Sequence, residues 1–218
     1  TVTKHSQALT FPELPTKAYG DSPFAAGAVA DSGLSVTLAS SDGGVATVAG
    51  GTITVVGVGI CTITASQPGT ADFEPALDVL RTLTVTKRSL VVVADDAAFT
   101  YGQAIPPFTV SLTGLAAGET AADVDVLPTV AAGSVVLDSV LTPSGGADTN
   151  YAFTQYVAGA LTVHPVSITV RALDSRRRPG HPNPAFEFTL TGLVNGDAFG
   201  DLGIPVSFAC PATEGDPV

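Results

Sequence analysis

The chain has 218 residues, 45% hydrophobic and 13% charged, which is enough apolar material for packed cores and too little charge for intrinsic disorder. A formal net charge of −11 argues against partners with a phosphate backbone and against adsorption to anionic lipid. No apolar run reaches membrane-spanning length, and no signal peptide is visible.

Glycine (23) and proline (16) are frequent, Val and Thr recur, and no stretch sustains a 3.6-residue period. Short strands joined by tight turns are predicted throughout, with almost no helix. In chain order, "TVTK" at 1–4 repeats the four letters at 84–87 and reads as the end of a preceding repeat. Gly50-Gly51, between "VATVA" and "TITVV", predicts a two-residue hairpin. "ITV" at 53–55, "LTV" at 83–85, "LTV" at 161–163 and "ITV" at 168–170 place aliphatics on one face of a strand and Thr on the other. "LTVTKRSLVVVA" (83–94) and "LTVHPVSITVRA" (161–172) run the last strand of one unit into the first strand of the next, with three or four residues between.

These elements recur. Laying 89–119 over 167–197 needs no gap and gives 12 identities in 31 positions, among them Gly102, Leu112, Thr113, Gly114, Leu115 and Gly118. Asp72-Phe73 falls on Asn150-Tyr151 at the same offset of 78. The predicted organisation is the end of a repeat (1–4), a first domain (5–87), a second (88–164) and an incomplete third (165–218). A period near 80 is the size of one β-sandwich, so the expected architecture is all-β: tandem Ig-like β-sandwich domains arranged end to end as a rod.

Residues 88–164, with "LVVVADDAAFTYGQAIP", "LTGLAAGE" and "NYAFTQYVAGALTV", resemble the YGX-type MBG domain, a bacterial Ig-like repeat of extracellular and surface proteins. Residues 5–87, with "QALTFPELPTKAYGDSPF" and "VATVAGGTITVVGVGICTITASQPGTADF", resemble a related Ig-like repeat. The resemblance implies a non-catalytic stalk or spacer in a bacterial adhesin or surface fibre, located outside the cell or on its surface. The third unit departs from the pattern, since Pro179-Gly180 replaces Tyr101-Gly102. In repeats like the first unit, the position of Cys61 often pairs with a Cys on the preceding hairpin arm. Here that arm reads Val45-Ala46-Thr47, so Cys61 is expected to be a small buried residue; any partner of Cys210 is expected beyond 218.

Candidate chemistry is sparse. His5, His164 and His181 accompany no nucleophile elbow, HExxH, CxxC, P-loop or GxGxxG, so no catalytic site and no organic cofactor are expected. Glu119 becomes Asp197 at a turn, where either is expected simply to solvate a loop. Asp95, Asp96, Asp123 and Asp125 are the tight acidic clusters and the weak candidates for Ca²⁺, against a plainer reading as solvated strand ends. Tyr151, after Asn150, is expected to bury its ring and turn its hydroxyl onto nearby backbone, with Phe73 filling the same space in the first unit. Gly102 and Gly114 are expected to serve the fold. "RRRPGHPNP" (176–184) sets Arg176, Arg177, Arg178 and His181 on a turn that could contact acidic glycan, against a solvated turn as the plainer reading. The period places the end of the third unit near 242, so the chain reads as an excerpt, or as a subunit completed by a strand from another copy in a fibre. The expected partners are therefore neighbouring repeats, other copies or acidic glycans. The alternatives to a spacer are a glycan- or mucin-binding module and an accessory domain of a secreted enzyme.

Overall fold

The structure is a computed structural model that describes residues 3–178, 180–203 and 205–209. It is all-β. The described helical content is two 3-10 turns, Ala121–Asp123 and Phe199–Leu202, and no described helix is long and apolar enough to cross a membrane.

The first repeat holds β1 (Leu9–Thr10), β2 (Lys17–Ala18), β3 (Phe24–Ala25), β4 (Val29–Ala30), β5 (Thr37–Ser40), β6 (Ala46–Ala49), β7 (Thr52–Val55), β8 (Gly59–Ser66) and β9 (Val79–Thr86). Gly50 and Gly51, at φ 53° and 81°, make the turn between β6 and β7, with Ala49 opposite Thr52. Both central residues need positive φ, which glycine adopts without a Cβ clash. The sheets run β2-β9-β8-β5 and β3-β7-β6, with β1 paired to β4. Alternation sends Cys61, Ile63, Ala65, Leu83 and Val85 inward from the first sheet, to cluster with Ala46 and Ile53 of the second and with Phe11. Cys61 is a buried free thiol; Cys210 lies outside the described residues.

The second repeat holds β10 (Arg88–Ala94), β11 (Ala97–Thr100), β12 (Val110–Thr113), β13 (Thr129–Ala132), β14 (Ser139–Ser144), β15 (Tyr151–Val157) and β16 (Gly159–His164). Its sheets run β12-β10-β15 and β11-β16-β14-β13. Lys87 alone separates β9 from β10, fewer residues than the sequence predicts, because β10 begins at Arg88, where the register places it opposite Tyr151.

The third repeat contributes β17 (Thr169–Ala172) and β18 (Phe188–Thr191). Their register, Thr169 opposite Thr191 through Ala172 opposite Phe188, reproduces that of β10 and β12 (Val91 opposite Thr113 through Ala94 opposite Val110) at the offset of 78. The short pair β1–β4 follows the same antiparallel plan. The parallel bridge of His5 and Phe73 matches the start of the parallel β10–β15 pair at Arg88 and Tyr151.

The described chain groups into two compact units. The first comprises Thr1–Asp95, Phe108–Ala131 and Leu141–Gly159; the second comprises Asp96–Pro107, Ala132–Val140 and Ala160–Val218. This grouping does not follow the boundaries 5–87, 88–164 and 165–218. Within each unit, a stretch of one repeat packs on a turn of the next.

Candidate functional site: the joint between repeats

The first unit contains a joint built from a Tyr-Gly pair of the first repeat and the "TGLAAGE" turn of the second. Gly20 (φ 73°) leaves the Tyr19 backbone so close to that turn that a Cβ at Gly20 would lie 2.4 Å from the Ala116 Cβ. Glycine is required twice over, for the left-handed backbone and for the close approach. Gly114 (φ 108°) repeats the device inside the turn, where a Cβ would stand 2.7 Å from the Ser89 carbonyl oxygen.

These close approaches bring three side chains together. The Tyr19 hydroxyl donates to Glu119 Oε1 at 2.5 Å. The Tyr151 hydroxyl donates to Glu119 Oε2 and accepts from the Ala116 backbone N–H at 2.7 Å. One carboxylate thus takes a phenol from each repeat. The two rings meet edge to face with centroids 5.4 Å apart, a favourable aromatic geometry. Tyr151 is 2% exposed and packs with Leu90, Ala116 and Val124, flanked by Tyr19. The short bond to Glu119, then burial, raise the Tyr19 phenol to about 12. Burial, then the same carboxylate, push the Tyr151 phenol up as well. Both phenols are held as proton donors to a fixed negative charge.

A polar clamp surrounds this centre. Arg88 Nε donates to the Gly114 carbonyl at 2.6 Å, and Arg88 Nη1 reaches the Tyr19 carbonyl at 3.5 Å and Asp21 at 3.9 Å. Lys87 Nζ donates to the Asp148 carbonyl at 2.6 Å. Asn150 Oδ1 accepts from the Val58 N–H of the first repeat at 3.2 Å. Asp148 collects the N–H groups of Asp125, Asn150 and Tyr151 at 2.9, 2.6 and 2.8 Å. Burial opposes its ionisation, but those donors and Lys87 outweigh it and hold the carboxyl below its usual range.

The second unit repeats the joint one period on, in weaker form. Gly102 (φ 85°) faces Val194, where a Cβ would meet Val194 Cγ2 at 2.6 Å. The Tyr101 hydroxyl stands 3.5 Å from Asp197 Oδ1. Aspartate is one methylene shorter than glutamate, which accounts for the longer reach. The residue at the place of Arg88 is Val166, which has no charge to clamp with.

Glu119 therefore does more than solvate a loop, contrary to the sequence expectation. Tyr19 and Arg88 had no part in that expectation either. The recurrence of Tyr-Gly in "KAYGD" (17–21) and "FTYGQ" (99–103) is a signal that could have found Tyr19, but it does not say what the tyrosine touches, and it does not reach Arg88. Phe73 is half-buried and lies tilted against His5, with ring centroids 5.8 Å apart and an interplanar angle of 47°.

The acidic candidates have hydrogen-bond partners within the chain. Asp95 accepts from Ser111 and Thr109 hydroxyls at 2.6 and 2.7 Å, which hold its carboxyl below the usual range. Asp96 accepts from Ala160 N–H at 2.7 Å. Asp123 caps the turn Ala121–Asp123 through Thr120 N–H at 2.8 Å. Asp125 takes both donors of Thr149, at 2.9 and 3.0 Å. Among the described residues, no three His, Cys, Asp or Glu side chains gather as a metal shell. In the basic turn, Arg176, Arg178 and His181 are exposed, and Arg177 Nη1 donates to the His181 carbonyl at 3.4 Å.

No curated protein matches the sequence. Among solved structures, Drosophila N-cadherin EC1-4 is similar over 84% of this chain and 59% of that chain, at 13% identity and a TM-score of 0.25. The family profile of the MBG domain (YGX type) matches residues 90–162, the stretch that holds Tyr101-Gly102, the "LTGLAAGE" turn and Tyr151, and the second repeat is an MBG domain of that type.

Proposed function

We propose that the chain is a non-catalytic spacer segment of a bacterial extracellular or cell-surface repeat protein, whose work is to hold neighbouring modules at a set distance. The observation that carries this reading is the first joint. The Tyr-Gly pair of the first repeat and the "TGLAAGE" turn of the second are spent on contacts between consecutive repeats, through Tyr19, Glu119 and Tyr151. A two-repeat carboxylate with an arginine clamp resists bending at a linker of one residue, as a spacer requires.

Small-angle scattering of the chain tests the reading. A compact domain of this length has a radius of gyration of about 17 Å. An extended spacer gives a distinctly larger value, and Tyr19→Ala broadens the distance distribution. A value near the compact one, or a distribution indifferent to Tyr19→Ala, counts against a spacer. The exposed Arg176 and Arg178 in a chain of net charge −11 support a second reading, contact with acidic glycan. Serine at positions 176–178 then abolishes glycan-array binding; unchanged binding removes that reading.

A further inference from the structure

The turn at the second joint differs from its counterpart in one chemical feature. Where the second repeat reads Ala116-Ala117-Gly118-Glu119, the third reads Val194-Asn195-Gly196-Asp197. Asn195 is the only described non-glycine residue with positive φ, at 57°, and Gly196 follows it at 80°. Both are exposed. Ala117 and Gly118 are exposed too, even with Tyr19 and Tyr151 both seated against their turn, so exposure belongs to the turn itself. The Asp197 N–H donates to the Val194 carbonyl at 3.0 Å, but neither the Asn195 side chain nor the Gly196 N–H has a hydrogen-bond partner among the described residues. A Cβ at Gly196 would meet nothing within 4 Å, so its peptide nitrogen has room to move. The chain's other two asparagines lack this combination. Asn150 precedes Tyr151, and its Oδ1 accepts from the Val58 N–H. Asn183 precedes Pro184, which has no N–H.

We propose that Asn195-Gly196 is a site of spontaneous deamidation, with water as the only co-reactant, and that the modification loosens the turn at the second joint. The Gly196 nitrogen gives its proton to solvent and bonds to Asn195 Cγ. The Cγ–Nδ2 bond breaks, and the amide leaves as ammonia. Glycine at 196 puts no side chain in the way of this ring closure. Water then opens the cyclic imide. Attack at Cγ yields aspartate; attack at the Asn195 main-chain carbonyl carbon yields isoaspartate, in which the chain runs through Cβ and Cγ. Nothing is oxidised or reduced, and either product carries a new carboxylate. Isoaspartate also lengthens the main chain by an atom between Val194 and Asp197. The pair of positive-φ residues no longer folds the turn, so the Asp197 N–H leaves the Val194 carbonyl. The Asp197 carboxylate is carried away from the Tyr101 hydroxyl, which it faces at 3.5 Å. Ala117 has no amide, so the first joint is spared. The proposal rests on the chemistry of this turn and does not depend on the spacer reading.

The test incubates the whole chain at mildly alkaline pH and follows each asparagine by peptide mapping and mass spectrometry, with electron-transfer fragmentation to separate isoaspartate from aspartate. Conversion at Asn195 is expected to outpace that at Asn150 and Asn183 by at least about tenfold. Asn195→Ala, which installs the residue found at the first joint, is expected to release no ammonia from this turn. The isoaspartate fraction, resolved by anion exchange, is then compared with fresh chain by amide hydrogen exchange. The Asp197 amide is expected to exchange at least about threefold faster. The Glu119 amide, bonded to the Ala116 carbonyl at 3.1 Å, is expected to be unchanged. Equal conversion at the three asparagines overturns the proposal. So does an Asn195 that stays intact under conditions that deamidate a free peptide of residues 190–201, because the folded turn then protects its amide. An isoaspartate fraction whose Asp197 amide exchanges no faster than in fresh chain overturns the loosening.

Discussion

Replacing Tyr151 by Phe removes one oxygen and leaves the ring in its cradle. That oxygen accepts from the Ala116 N–H and donates to Glu119, and both Ala116 and Tyr151 are buried. The variant strands the Ala116 N–H, a cost of about 1–3 kcal/mol for a buried unpaired donor. It also deletes a charge-assisted bond, although Glu119 keeps the Tyr19 hydroxyl. Together these make a loss of about 2–3 kcal/mol in the second repeat. No cavity contributes, whereas an aromatic-to-alanine change in such a site costs about 3–5 kcal/mol. A chain of several repeats need not unfold in one step, so the loss is read locally, by amide hydrogen exchange at Leu90 and Val92 in the buried β10. Exchange through the opening that exposes them accelerates roughly 30- to 150-fold, the factor that 2–3 kcal/mol implies. A change below about threefold would refute the assignment of Tyr151 as the hydrogen-bonded anchor of this joint.

Gly114→Ala and Gly192→Ala each combine positive φ with a Cβ less than 3 Å from a carbonyl oxygen, so each lowers stability by about 2 kcal/mol or more in urea unfolding. Gly43→Ala, with open space and no positive φ, stays within about 0.5 kcal/mol. On the alkaline side, the Tyr19 phenol is raised from 10.0 to about 12, so the folded state keeps a proton that the unfolded chain gives up. Its contribution is complete below pH 10.0 and is lost as pH rises to about 12; thermal melts across that window show the loss, and Tyr19→Phe removes this part of it. On the acid side, the depressed Asp148 carboxyl contributes stability that is complete above its ordinary value of 3.8 and is lost as pH falls through its lower native value. Asp148→Asn accordingly lowers stability at pH 7 and flattens the acid limb.

The strands were legible because their signals are local. Alternating Thr and aliphatics mark β7, β9 and β16, and two consecutive glycines can hardly be anything but a turn between β6 and β7. The joint was legible only in part. Gly102 and Gly114 stood out because they recur, and each is held in place by a neighbour too close for a Cβ. Tyr19, Arg88 and Glu119 did not stand out as a group, because 69 to 100 residues separate Tyr19 from its partners in the chain. Periodicity specifies which face of a strand is buried. It carries no record of which turn of the next repeat a side chain will meet. Glu119 misled for a further reason: an acid beside glycine in a turn is the ordinary solvated case, and only the two phenols distinguish it. The grouping of residues across repeat boundaries was illegible for the same reason, since repetition marks where a motif recurs and not what it packs against.

The two joints separate what the motif does for the fold from what it does for the connection. Glycine at 114 and 192 is indispensable to either repeat alone, because the Ser89 and Ser167 carbonyls leave no room for a Cβ. Leu90 in β10 and Ile168, immediately before β17, likewise occupy matching positions of the two repeats. The acid and the basic clamp are free to vary without disturbing that strand pairing, and they do: Glu119 with Arg88 at one joint, Asp197 with Val166 at the other. The β17–β18 register survives the exchange intact, so the pairing does not depend on the clamp. What changes is the phenol–carboxylate distance, from 2.5 to 3.5 Å. A single turn thus carries a part common to both copies that shapes its own repeat, and a part that differs between them and sets how closely the tyrosine of the preceding repeat approaches it.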